Sequence, residues 1–433
     1  MTKGVLEIND CGLRVFSGCD EVLDSPGVAV IEAQKILVGT AALMRSRSHP
    51  TQVNNQFWRR LSLETLKSEN ARCRHHADLA YCHLQDIADH CDLPQEVVLA
   101  VPGNFTHEQL ALLLGIVRES SVEVAGLVDT AAACVSGAAP SGTHLHVELQ
   151  RHQTLVSRVS VREQAVLESA ETVNDSGLQN FQDAWARVFT DAFIMQCRFD
   201  PLHSAEAEQQ LYDLMPQWVG RAMRQGEIMA ELDDRTAKVN LRQLQDASAP
   251  LLSRVRALIE NLSHPKGIVF VSHRWAEIPG GAQLAERIHL LPHNSIATAA
   301  EGRWKEIRSD SQAPRLVKAL SAAAPTEVVV QISTTEAAAT HLLFGSRALA
   351  AQQPLFVSWQ TGKLQVTPTP PQHPAATITN HAGRLALRVD AGAQLVLNGE
   401  EIATPVNLSA GDRIGGPDPE EVITAISVEQ YGA

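Results

Sequence analysis

The sequence has no apolar run approaching the roughly 18 residues that a membrane-spanning helix requires, and an acid, Glu7, interrupts its first ten residues. Neither a spanning helix nor a secretory leader is expected, and the chain reads as cytosolic. It also lacks any block of basic residues, and its formal net charge is −13. The usual electrostatic drive toward phosphate is therefore missing, so neither nucleic acid nor an anionic membrane is an expected partner. Its seven cysteines are odd in number and contain no C-x-x-C pair, which argues against a disulfide framework. No repeat of solenoid period is present. What remains is a chain of 433 residues, 44% hydrophobic, long enough for more than one domain and a large buried core.

One stretch, "CRHHADLAYCHLQDIADHC" (residues 73–91), gathers three cysteines and four histidines on what reads as one helix. His76, His83 and His90 fall seven apart, about 10 Å of helical rise between neighbours. A single zinc with ligands about 2 Å away cannot bridge them. Cys73/His76 and Asp86/His90 have helical chelating spacing, yet each pair needs further ligands from elsewhere. A polar surface helix is the expected reading, and no metal site is assigned.

Along the chain, "GVLEINDCGLRVFSG" alternates apolar residues around an Asn-Asp turn, predicting strand, turn and strand, and "GVAVIEAQKILVG" predicts a second hairpin. Residues from about 60 to 92 read as helical. "EVVLAVP" is the continuous apolar run of a strand buried on both faces. Thr106 caps the helix "HEQLALLLGIVRESS", with Glu108 and Gln109 in its first turn. The strand "VEVAGLV" and the small-residue helix "DTAAACVSGAA" follow. In "THLHVELQ", Leu145, Val147 and Leu149 alternate with His144, His146, Glu148 and Gln150, predicting one buried and one polar face. "TLVSRVSV" and "AVLESAETV" extend this meander. Residues 176–262 read as helical, "GIVFVS" as a strand and "GAQLAERIHLL" as a helix. The two halves suggest a bilobal plan. "TPTPPQHP" (367–374) is too rich in proline for a helix or central strand, and the short strand-like segments around it suggest a small β-sandwich.

The order of these pieces resembles the nucleotide-binding domain of the 70-kilodalton heat-shock chaperones, of the actin-like ATPase superfamily. The likeness runs from about residue 5 to 308 and is most specific in "VPGNFTHEQLALLLGIVRESSVEVAGLVDTAAACVSG" (101–137). "ILVGTAALMRSRSHPTQV", "SGLQNFQDAWARVF" and "GIVFVSHRWAEIP" also fall in that family's order. The stretch between 45 and 95 is shorter than the family's, and nothing resembles the chaperones' substrate-binding domain and lid. The expected fold class is therefore α/β: a bilobal, actin-like (ribonuclease-H-like) ATPase fold over residues 1–312. Its first lobe would take in 1–137 and a returning C-terminal helix. Its second would span 138–295, with a helical subdomain at 176–262.

Such a fold binds ATP and magnesium through two glycine-rich turns, acids, a lysine and a glycine pair against the adenosine, and phosphoryl transfer depends on that positioning. The resemblance places Asn9 where the first turn's acid belongs, with Asp10 beside it and Gly12 following. Leu43 stands for the lysine and Val128 for a carboxylate, with Asp129 in a proline position. In the second turn Glu148 stands for an acid, while Gln150, Arg151 and His152 carry side chains where bare backbone is expected. Ser272 and His273 replace the glycine pair, and Arg274 follows. Arg151, His152, His273 and Arg274 could hold an anion by side chain; the expected reading is that they fill a vacated cleft or meet a partner. "PGG" (279–281) reads as a turn.

After a linker at 313–326, residues 327–433 resemble a forkhead-associated (FHA) domain, the phosphothreonine-reading β-sandwich, through "GRLALRVDAGAQLVLNGEEIATPVNLSAGDRI" and its Asn398-Gly399 and Gly411-Asp412 turns. Trp359 stands where that family's arginine belongs, and "PQHPA", with His373, replaces its Ser-x-x-His stretch, so charge-assisted phosphate contacts are lost. The expectation is a non-catalytic, chaperone-like scaffold with a protein partner and no required cofactor. The alternatives are an ATPase in which Asp10, Glu148 and Asp129 handle magnesium, and a phosphopeptide adaptor working through the tail.

Overall fold

The computed structural model describes residues 2–66, 73–120, 122–309, 311, 314–323, 331–332, 341–344, 347–350, 353–360, 363–371, 374–381, 384–390, 395–397, 400–401, 406–408, 412–415 and 422–426. The chain is mixed α/β and divides into two compact units, residues 1–333 and 334–433.

The first unit begins with the meander β1 (Lys3–Asn9), β2 (Gly12–Ser17) and β3 (Asp20–Pro26). A three-stranded patch follows, β4 (Ala29–Ile31), β5 (Ile36–Val38) and β6 (Val53–Asn54), with the short helix α1 (Gly39–Leu43) after β5. Next come α2 (His76–His90), β7 (Glu96–Val101), α3 (His107–Glu119), β8 (Glu123–Asp129) and α4 (Thr130–Ala138). Every residue of β7 is buried, as its unbroken apolar run requires. Thr106 and Gln109 form a reciprocal capping box at the start of α3.

The second sheet opens with the meander β9 (Gly142–Leu149), β10 (Gln153–Val161) and β11 (Gln164–Asn174). Helices α5 (Leu178–Cys197) and α6 (Ala205–Gln225), the hairpin β12 (Glu227–Leu232) and β13 (Arg235–Asn240), and α7 (Leu241–Leu262) follow. The unit closes with β14 (Val269–Val271), β15 (Arg287–Leu290), α8 (Ser295–Gly302), α9 (Trp304–Ile307), β16 (Leu316–Val317), β17 (Ala319–Ser321) and β18 (Gln331–Ile332).

Two large sheets result, ordered β16-β8-β7-β1-β2-β3 and β17-β11-β10-β9-β14-β15-β18. Small residues let α4 pack closely: Ala131, Ala133 and Val135 share one core with α8, with Val5 and Val98 of the first sheet and with Val159 and Phe270 of the second. A separate core joins Trp185, Phe189, Leu211 and Trp218 of α5 and α6 to the inner face of the β12–β13 hairpin. The outer edge of β13 is clasped from α5, where Cys197 Sγ donates to the Thr236 carbonyl (3.1 Å). Gln196 donates to the Lys238 carbonyl (2.9 Å) and accepts from the Lys238 N–H (2.8 Å).

Several expectations need correction. Among the described residues, the helix expected over 60–92 is confined to His76–His90; Phe57, Trp58 and Leu61 before it are buried without being helical. Nor is α2 a polar surface helix. Its His83 is fully buried, donating to Ser25 Oγ (2.8 Å) through Nε2 and accepting from Trp58 Nε1 through Nδ1 (3.1 Å). The span 176–262 is interrupted by the β12–β13 hairpin, and 281–291 forms a three-residue 3₁₀ turn and strand β15, which pairs in parallel with β14. The polar face of β9 is buried too: His144, His146 and Glu148 are covered because helices and the first sheet enclose both sides. The expected linker at 313–326 carries β16 and β17, which extend the ladders of β8 and β11, so the contact boundary falls at 333.

In the second unit, His341–Phe344, Arg347–Ala350, Val396–Leu397, Glu400–Glu401, Arg413–Gly415 and Val422–Ile426 form one sheet. Leu355–Gln360, Lys363–Thr367, Ala376–His381, Arg384–Val389 and Val406–Asn407 form the other. Leu342, Ile414 and Ile423 of the first share a core with Val357, Ile378 and Leu387 of the second. Trp359 sits opposite Leu364 in the second sheet. His373, Asn398, Gly399 and Gly411 lie outside the described residues, and Asp412 is buried.

Candidate functional site

Two turns meet in the first unit: Asn9–Gly12, joining β1 to β2, and Leu149–Gln153, joining β9 to β10. Gly12 has φ +152, and a Cβ there would stand 2.0 Å from the Ser25 carbonyl oxygen, so only glycine lets β2 and β3 approach at this point. Gly177 serves the second turn. A Cβ there would lie 2.4 Å from the Gln153 nitrogen, and its absence brings α5 close enough for Leu178 N–H and Gln179 N–H to donate to the Gln150 and Arg151 carbonyls (both 2.8 Å).

The contact between the turns is direct. The Asp10 carboxylate accepts the backbone N–H of Arg151 through Oδ1 and that of His152 through Oδ2 (3.2 Å). Burial pushes the Asp10 carboxyl above its ordinary value, against the pull of those two donors and of the neighbouring Arg151 and His152 side chains. Asn9 Oδ1 accepts from Cys11 N–H (2.7 Å), and Asn9 Nδ2 donates to Glu148 Oε1 (3.2 Å). Gln150 Nε2 donates to that same oxygen (3.2 Å), and Gln150 Oε1 accepts from Gln153 (2.7 Å) and Asn104 (3.4 Å). Arg151 Nη2 donates to the Cys11 carbonyl (3.3 Å), and His152 Nε2 meets the Asn55 carbonyl (3.0 Å).

Two further acids lie below the turns. Glu148 is held up at about 8, first by burial and then by the nearby Glu7 carboxylate, and its Oε2 has no partner among the described residues. Glu7 itself pairs with the buried Arg14 (2.7 Å). Asp129 caps α4 by accepting from Ala132 N–H (2.8 Å) and is pushed by burial to about 6, with Oδ2 unpartnered among the described residues. A carboxyl that ligates magnesium has to be ionised, and burial opposes ionisation of Glu148.

The remaining candidates are placed as follows. Ser272 Oγ accepts from Leu149 N–H (3.3 Å), so its hydroxyl fixes the end of β9. Burial, with Arg14 and Arg274 nearby, drives His273 down to about 3. Arg274 pairs with Asp24 of β3 (3.2 Å). Val128 is fully buried between β7 and β16 and faces the core. Leu43 lies apart from the turns, at the exposed end of α1, where its carbonyl accepts from Gln209 Nε2 (3.1 Å). The "PGG" stretch is a turn with Gly280 at φ +86. The four side chains expected to converge do so in part: Arg151 and His152 stand at the turn, burial disfavours the charged form of His273, and Arg274 is drawn to β3.

Sequence reasoning missed a strap. Arg47, just beyond α1, pairs with Asp183 of α5 (3.3 Å) and Glu208 of α6 (3.5 Å), lies 3.5 Å over the Tyr212 ring, and donates its backbone N–H to Gln209 (2.8 Å). These partners are more than 130 residues away in sequence, so no local pattern signals them. Asn55, Asn104 and the Cys11 carbonyl were missed for the same reason.

The fold and site define a mixed α/β protein whose central turns are closed on each other by a carboxylate. Compared with known proteins, the chain matches no family model and no curated sequence. Among the described residues, no helix is long and apolar enough to cross a membrane.

Proposed function

We propose that the protein is a heat-shock-chaperone-like, actin-fold pseudo-ATPase that works as a protein-binding scaffold. One observation carries this reading: the Asp10 carboxylate occupies the Arg151 and His152 N–H groups, which in an ATPase of this kind would receive phosphate oxygens. An internal acceptor in that cradle competes with a nucleotide intramolecularly, without the cost of bringing two molecules together. The buried Glu148, the side chains of Gln150 and Arg151, and the apolar Val128 support the same reading, because each removes a charge or a space that ATP and magnesium would use. The second unit, by this reading an FHA-like sandwich, supplies a further protein-binding surface.

A nucleotide present at 100 times its Kd would add about 2.7 kcal/mol of stability. Melting the full chain with and without millimolar Mg-ATP is therefore expected to give superimposable curves. A clear upward shift, together with phosphate release abolished by Glu148→Ala, would establish the ATPase reading instead.

A further inference from the structure

A cavity of about 610 Å³ lies in the first unit between residues 28–55 and helices α5 and α6. That volume is in the range of small-molecule sites, roughly 300–1,000 Å³. One wall is apolar, with Val28, Leu43, Pro50 and Val53; the other has the amides of Gln179 and Gln182 and, toward α6, the acids Glu208 and Asp213. Two arginines reach it, and they differ. Arg47 is neutralised by Asp183 and Glu208. Arg151 is only 5% exposed, forms no ion pair with any described carboxylate, makes one long hydrogen bond to the Cys11 carbonyl, and has no described partner for its Nε. The Asp10 carboxyl lies near enough to favour its charge but makes no ion pair with it; a buried guanidinium without a direct ion pair is costly, and this one lines the cavity.

We propose that this cavity binds a small organic anion, with one carboxylate or phosphate head against Arg151 and a short apolar body along Val28, Pro50 and Val53. Arg151 supplies the charge and a planar fork of donors suited to an oxyanion, and Asn55, Gln179 and Gln182 supply amides at its side. This goes beyond the scaffold reading, since the ligand sits beside the sealed turns and needs neither magnesium nor an adenosine pocket.

The test is calorimetric titration of the full chain with benzoate and with phenyl phosphate, which separate the two kinds of head. One of them is expected to bind with a Kd of about 1 mM or tighter. Arg151→Gln should weaken that binding about thirtyfold or more, the range for removing one partner of a buried charged contact. Gln182→Trp, which leaves Arg151 in place and fills the cavity from α5, should abolish it and keeps the test valid if the first variant fails to fold. No binding of either probe at about 10 mM, or unchanged binding in a folded variant, would overturn the proposal. The scaffold reading fails separately: Mg-ATP would then raise the melting temperature and displace the bound probe.

Discussion

Glu148→Gln is expected to stabilise the protein, increasingly so as pH rises. The folded chain holds the Glu148 proton up to about pH 8, whereas the unfolded chain releases it near the ordinary 4.5. Between those values the folded state binds more protons, so its stability is full below pH 4.5 and is lost as pH rises toward 8. At ~1.4 kcal/mol per pH unit the loss is about 5 kcal/mol over the window, of which about 3 kcal/mol has accrued by pH 7. Glutamine keeps the Oε1 acceptor that Asn9 uses and has no charge to bury. Guanidinium unfolding followed by tryptophan fluorescence reports mainly on the first unit, because five of the six tryptophans precede residue 334. Wild type and variant should differ little at pH 5, with the variant ahead by several kcal/mol at pH 8. Parallel curves across that range would mean that Glu148 ionises normally, and the argument that burial opposes its ionisation would collapse.

Removing the internal anion with Asp10→Ala should cost about 2–4 kcal/mol, since two buried N–H groups lose their acceptor; inorganic phosphate should then raise the melting temperature of the variant and leave wild type unmoved. His83→Ala should cost a similar 2–4 kcal/mol through the lost Ser25 and Trp58 contacts and the cavity left behind. Because burial holds His83 neutral down to about pH 3, its contribution is lost as pH falls from 6.5 toward 3, and acid titrations of wild type and variant should converge there. Arg47→Ala should lower stability by less than about 1 kcal/mol, because its pairs are partly exposed, yet amide exchange at residues 43–47 should quicken measurably.

What could be read from the sequence was what neighbouring residues determine. The Asn-Asp turn between β1 and β2 and the Thr106 cap with Gln109 in the first turn are spelled out within a few positions. The β12–β13 hairpin was also written locally, in the alternation of Ile228, Ala230 and Leu232 with Ala237 and Val239, but its turn uses Asp233 and Asp234, both at positive φ, without the glycine that usually marks such a turn. The site divided along the same line. The resemblance brought Asn9, Asp10, Glu148 and Arg151 under suspicion as a group. That Asp10 ties the two turns together depends on a contact across 141 positions of sequence, which only the packed sheets create.

The clasp of Gln196 on Lys238 also bears on how the chain behaves in company. A hairpin ends in rows of unused backbone donors and acceptors, the template on which another copy could add a strand. Here the primary amide of one glutamine, the side chain that most closely copies a peptide group, satisfies both backbone groups of Lys238 and so plays the part of the missing strand. Pairing along the β13 edge is thus opposed by Gln196, with Cys197 Sγ beside it donating to the Thr236 carbonyl (3.1 Å). A change at position 196 that left the fold intact would show itself first in solubility at high concentration.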